Sequence, residues 1–169
     1  MSDRVLVAYG SKHGATAEIA EAIGEVIREA GHDVDVLSAG SVKDLAPYAA
    51  VVLGSAVYVG KWQKEAVKFL EDQATGLAQR PVWLFSSGPS GEGDPVELLK
   101  GWRLPGPLQP LADRIAPRDI AVFHGSIDPT KLGFIEKQMI KMVKAPDGDF
   151  RDWEGIRSWA AAIAAELSG

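Results

Sequence analysis

Ser11-Lys12-His13-Gly14-Ala15-Thr16 follows the apolar run Val5-Leu6-Val7-Ala8-Tyr9-Gly10 and runs straight into a helical pattern. Hydroxyls and glycines at the start of a helix suit one task above others, the holding of a phosphate. The first N–H groups of a helix have no intrahelical acceptor, and the helix dipole adds about half a positive charge there. Ser11 and Thr16 can add O–H donors, while Gly10 and Gly14 allow close backbone approach. An ordinary strand-to-helix turn is the alternative reading of the same residues. His13 either donates to the phosphate or stays a neutral, solvated loop residue.

Other chemistries find little support. The chain contains no cysteine, which removes disulfides, cysteine-ligated clusters and thiol catalysis. Any redox chemistry would come from a bound organic cofactor, and no metal site is expected. Gly91-Glu92-Gly93 follows a strand pattern but lacks the third glycine of a nicotinamide fingerprint. A Walker-type run of glycine, lysine and hydroxyl is missing as well. His124, at the end of a strand pattern, is either a proton donor or a satisfied structural group. Asp94 and Asp128 have no pairing that calls for acid–base work, so no catalytic residue is assigned.

The elements that must position the loop alternate in kind. Apolar strands are expected at Val5–Tyr9, around Val34 to Leu37, at Ala50–Gly54, at Pro81–Phe85 and at Asp119–His124. Helices are expected at Ala15–Ala30, which Gly31 stops, at Trp62–Ala74 and at Asp152–Leu167. Ser41 to Asp44 reads as the cap of a brief turn ended by Pro47, and short helical pieces are expected around 96–101 and 108–115. This order predicts an α/β fold: a flavodoxin-like, doubly wound, five-stranded parallel sheet with helices on both faces. In such a sheet the ligand lies beyond the carboxyl ends of the strands, where the loops at 10–16, 55–62 and 86–93 should meet.

A length of 169 residues fits one domain, 1–169, with an insertion at about 125–150. The net charge of -5 argues against a nucleic-acid partner. The start Met1-Ser2-Asp3-Arg4 enters the first strand without a signal-peptide pattern, and the expected location is cytoplasmic. Within the insertion, Leu132, Ile135, Met139, Met142 and Val143 share one helical face, and Lys137, Lys141 and Lys144 fall on another. A basic amphipathic helix over 131–144 can lie on an anionic membrane where a lipid quinone is within reach, or cover a large apolar substrate. Equally, it packs on the domain with its lysines solvated.

The chain resembles the flavodoxin family over most of its length. The resemblance rests on Ser11 to Thr16, which have the place and spacing of the flavodoxin phosphate site, and on Gly54-Ser55-Ala56-Val57-Tyr58-Val59-Gly60-Lys61-Trp62, which looks like the loop along the flavin ring. A closer similarity is to flavodoxin-like protoporphyrinogen dehydrogenases that pass electrons to menaquinone. It rests on that second loop, on the insertion Leu132 to Lys144 and on the ending Gly148-Asp149-Phe150-Arg151-Asp152-Trp153. The resemblance implies an FMN whose phosphate accepts from Ser11, Thr16 and the N–H groups of His13, Gly14, Ala15 and Thr16, in the loop that also holds Lys12. Ser55, Ala56, Val57, Tyr58, Val59 and Gly60, with Ser86, Ser87, Gly88, Ser90 and Gly91, would address the polar edge of the ring. Tyr58 or Trp62 would stack on it, unless Tyr58 is a half-exposed loop aromatic and Trp62 caps a helix against the core. A deazaflavin would use the same end of the sheet. No aromatic stands between Ser86 and Val96, where electron-carrier flavodoxins commonly cover the ring, and this leaves room for a substrate. The implied activity is a flavin-dependent oxidoreductase delivering electrons to a quinone or a redox partner protein. An electron carrier with no substrate of its own, or a cofactor-free regulatory domain, are the alternatives.

Overall fold

The computed structural model describes residues 4–11, 14–58, 61–88, 103–127, 148–149 and 151–168. Five apolar segments form one parallel sheet: β1 (Arg4–Gly10), β2 (Val34–Ser38), β3 (Tyr48–Tyr58), β5 (Val82–Ser87) and β6 (Asp119–Phe123). Their order across the sheet is β2-β1-β3-β5-β6, the doubly wound order expected from the alternation of strands and helices. Val5 to Ala8, Val51 to Leu53 and Val82 to Phe85 are all buried, as apolar runs covered on both faces must be.

Helices cover the two faces. On one face lie α1 (Ala15–Glu29) and α5 (Trp153–Ser168), which pack Ile19, Ile23, Ile27, Ile156 and Ile163 against Val5, Val7, Trp83 and Phe85. On the other, α2 (Lys64–Asp72), α3 (Ala74–Leu77) and α4 (Gln109–Ile115) pack Ala66, Phe69, Leu70, Leu77 and Ile115 against Leu6, Leu53 and Leu84. Gly31 ends α1 as expected, with a φ of 102° that a side chain would resist. Gly54 fills a different need, because a Cβ there would lie 2.1 Å from the Phe85 ring.

The elements differ from expectation at their ends. β3 runs on to Tyr58, and Lys61–Trp62 forms a short strand, β4, that turns back antiparallel against it through Val57↔Trp62 and Tyr58↔Lys61. Trp62 therefore precedes the helix, which opens at Lys64. Pairing with Tyr58 and Val57 holds Lys61 and Trp62 in extended backbone, with Trp62 4 % exposed. The helix also stops at Asp72, and Ala74–Leu77 form a separate turn. β5 takes in Ser86 and Ser87, and the turn before Pro47 is a 3-10 segment at Ala39–Ser41. The expected helical piece at 96–101 and the insertion helix at 131–144 lie outside the described residues. The segment 128–147 leaves from β7 (Ser126–Ile127) and returns at β8 (Gly148–Asp149), which pair antiparallel. Among the described residues no helix is long and apolar enough to cross a membrane.

Candidate functional site

Register brings the expected loops together. Gly10 pairs with Ser55, Ser55 with Ser86, Ala56 with Ser87, and Ser87 with Phe123, so the carboxyl ends of β1, β3, β5 and β6 form one continuous edge. Close approach at that edge depends on glycine. A Cβ on Gly10 would lie 2.9 Å from the Ala66 Cβ, one on Gly88 2.7 Å from the Val57 carbonyl oxygen, and one on Gly125 2.8 Å from the Gly88 Cα.

The loop after β1 is shaped by its own hydroxyl. The Gly14 N–H donates to Ser11 Oγ at 3.0 Å, and Gly14 takes a φ of 91° with open space where a Cβ would be. That turn opens α1 with Gly14 as its N-cap and no side-chain cap. Ser11 accepts here through its oxygen, a bond that does not use its O–H. Thr16, in the first turn, is 2 % exposed, and its hydroxyl has no hydrogen-bond partner among the described residues. Ser87 is 1 % exposed and its hydroxyl likewise has none among the described residues. A buried hydroxyl gains about 1–3 kcal/mol from an acceptor it would otherwise lack, and these two lie at the same edge of the sheet.

The other two serines are committed to the fold. Ser55 Oγ donates to the Ala56 carbonyl and accepts from the Gln63 N–H, both at 2.9 Å, which fixes the start of α2 to the end of β3. Ser86 Oγ accepts from the Trp62 indole N–H and donates to the Arg103 carbonyl, both at 2.9 Å. Trp62 accordingly sits in the core, 4 % exposed. Ala56 and Val57 are half-buried at the same edge, and the backbone of Tyr58 ends β3 there. Lys12, His13, Val59, Gly60, Ser90 and Gly91 lie outside the described residues. His124, just past β6, is half-buried and engaged with neighbours. Among the described residues no group of three or more His, Asp or Glu side chains is placed to hold a metal ion.

Arg151 is a residue that sequence reasoning left without a role. Its guanidinium donates to the Ala15 carbonyl at 3.2 Å and to Glu18 Oε1 at 2.9 Å, both in the first turn of α1. It also grips both carboxylate oxygens of Asp149, at 2.9 and 2.6 Å. These bonds hold the Asp149 carboxyl below its ordinary range and push the guanidinium further up, chiefly through Asp149 and then Glu18. Nothing in the spacing of Gly148 to Trp153 signals a partner more than 130 positions away.

The strand order, with the glycine-shaped start of α1 at its switch point, defines a doubly wound α/β domain. The comparisons narrow this class. The sequence matches the family described as flavodoxin domain over residues 6–153, and the chain belongs to that family. It is 22 % identical over 182 residues to the protoporphyrinogen IX dehydrogenase (quinone) of Escherichia coli, covering 95 % of this chain and 94 % of that protein. A shorter stretch of 39 residues is 51 % identical to a flavodoxin of Nitratidesulfovibrio vulgaris, covering 23 % of this chain and 26 % of that one. A flavodoxin structure from the domain Archaea aligns with a TM-score of 0.66 at 18 % identity, covering 98 % of this chain and 99 % of that one.

Proposed function

We propose that this chain binds FMN through its phosphate and works as a flavin-dependent oxidoreductase. The observation that carries the reading is Thr16, a buried hydroxyl with no hydrogen-bond partner among the described residues, in the first turn of a helix opened by a positive-φ glycine. Ser11, Thr16 and the N–H groups of Gly14, Ala15 and Thr16, with Lys12 and His13, would hold the phosphate. Ser87 and Gly88, with backbone groups at 55–60 and at Ser90 and Gly91, would face the polar edge of the ring. FMN, when bound, supplies electron transfer in steps of one or two. The protein's part is to orient the ring, keep water from it, and set donors against the edge where charge develops.

Among flavin activities, a dehydrogenase acting on an apolar substrate and passing electrons to a quinone is favoured. Likeness to protoporphyrinogen IX dehydrogenase along nearly the whole of both chains supports it, as does the loop from Ser86 to Val96 without an aromatic cover. The lysines of residues 131–144 would bring the domain to the inner face of a membrane. A carrier between redox partner proteins, using FMN or a deazaflavin, is the second reading, favoured by a fold that matches flavodoxins end to end.

Titration with FMN, riboflavin and a deazaflavin, followed by fluorescence, tests the cofactor. Tight FMN binding with much weaker riboflavin binding is expected, and equal binding of the two would remove the phosphate reading. The flavin-loaded protein should then oxidise protoporphyrinogen with a menaquinone analogue; flavin uptake without turnover would leave the carrier. Flotation with anionic liposomes should show salt-dependent binding, and its absence would sink the membrane contact.

A further inference from the structure

Arg151, between β8 and α5, binds the first turn of α1. The Arg151 side chain is 9 % exposed, whereas its partners Glu18 and Asp149 are 64 % and 48 % exposed. A nearly buried guanidinium is thus held between two carboxylates that face water. Its fork is filled from three directions: the Ala15 carbonyl and Glu18 on α1, Asp149 on β8, and the Trp153 ring, 4.7 Å away at the start of α5. Asp149 also accepts the Arg151 backbone N–H at 3.1 Å, which fixes the turn that aims the side chain.

This geometry bears on the helix end next to it. Ala15 is the first residue of α1, so the guanidinium is fixed within one turn of the N–H groups that face the ligand. Without it, Glu18 and Asp149 would set two uncompensated negative charges beside an anion-holding helix terminus. With it, one of the two charges is offset and both carboxylates are fixed by directed hydrogen bonds. We propose that Arg151 is a positioning residue for the phosphate subsite, fixing the first turn of α1 and shielding a bound phosphate from Glu18 and Asp149. The proposal deepens the FMN reading and rests on it.

The test is the ratio of riboflavin to FMN dissociation constants, measured for the full chain by fluorescence titration. Arg151→Gln should lower the ratio about tenfold while riboflavin affinity stays within about twofold, since only the phosphate interaction changes. Arg151→Lys, which keeps the charge and loses the fork, should fall between. Adding Glu18→Gln to Arg151→Gln should recover part of the ratio, which a merely structural arginine would not produce. If both ligands weaken by the same factor, or the ratio is unchanged, the proposal falls while the phosphate reading stands. If Arg151→Gln fails to fold, Arg151→Lys decides by the same ratio. Wild-type protein that does not prefer FMN overturns the phosphate reading first, and the proposal with it.

Discussion

Two buried hydroxyls in this protein have opposite meanings. Ser86 is spent on the fold, holding the Trp62 indole and the Arg103 carbonyl. Ser86→Ala would leave both without that partner, and urea unfolding should show a loss of about 1–3 kcal/mol. Thr16 is spent on nothing among the described residues. Thr16→Val keeps the shape and removes the hydroxyl, so the ligand-free protein should be as stable as wild type or slightly more so. FMN affinity should fall about tenfold in the same variant, the worth of one hydrogen bond to a charged group. A variant that unfolds more easily yet binds FMN normally would make Thr16 a structural residue. Residue types and their place at a helix start singled out Thr16 and Ser11, with an ordinary capped turn as the alternative. Trp62 was ambiguous, and only the Ser86 bond places it in the core.

The elements meet at the site through close contacts more than through long side chains. Gly10 ends β1 where α2 begins, with Ala66 and Gln63 Cβ atoms 2.9 and 3.0 Å from any Cβ placed there. Both atoms are tied to backbone and cannot swing aside. Gly10→Ala should therefore push α2 off the sheet, at a cost of about 1–3 kcal/mol in chemical denaturation, and weaken FMN as the loop moves. Normal stability would mean that α2 slides without resistance. Helix and strand identities followed from periodicity, but their ends did not. β3 continues past Gly54 because β1 and β5 still pair with Ser55 and Ala56 and β4 supplies Val57 and Tyr58 with a partner, and no local pattern announces a two-residue strand. α2 stops at Asp72 although the apolar spacing runs on to Ala74, because Ala74 opens a turn of its own that packs on α4.

At the scale of the molecule, the end of the sheet away from the site carries its own charge pattern. Tyr48 donates to Asp35 at 2.8 Å, and Arg4 reaches the same carboxylate at 3.2 Å. Burial, and then the Asp35 bond, push the Tyr48 hydroxyl up to about 12. A raised phenol favours the folded state while it stays neutral, so its contribution is whole below the ordinary value near 10 and is lost as pH climbs toward 12. Unfolding free energy should fall by on the order of 3 kcal/mol over that window, and Tyr48→Phe should remove most of the fall. In acid the sign reverses. Asp35, lowered by Tyr48 and Arg4, and Asp149, lowered by Arg151, stabilise the fold above the ordinary carboxylate range and cease to do so as pH drops through their lowered values. A flat profile from pH 10 to 12 would mean that Tyr48 is open to water.

The order of apolar strands and amphipathic helices was enough to determine the doubly wound sheet, because burial periodicity and crossover handedness are local rules with few global solutions. The start of α1 after Gly14 was legible for the same reason, the glycine and the helical pattern behind it lying in one local stretch. What tertiary structure alone decided are contacts between distant residues: the register that sets Gly10, Ser55 and Ser86 side by side, the Trp62–Ser86 bond, and the reach of Arg151 to Ala15 and Glu18. Such pairings depend on how whole layers pack, and no spacing within a segment records them.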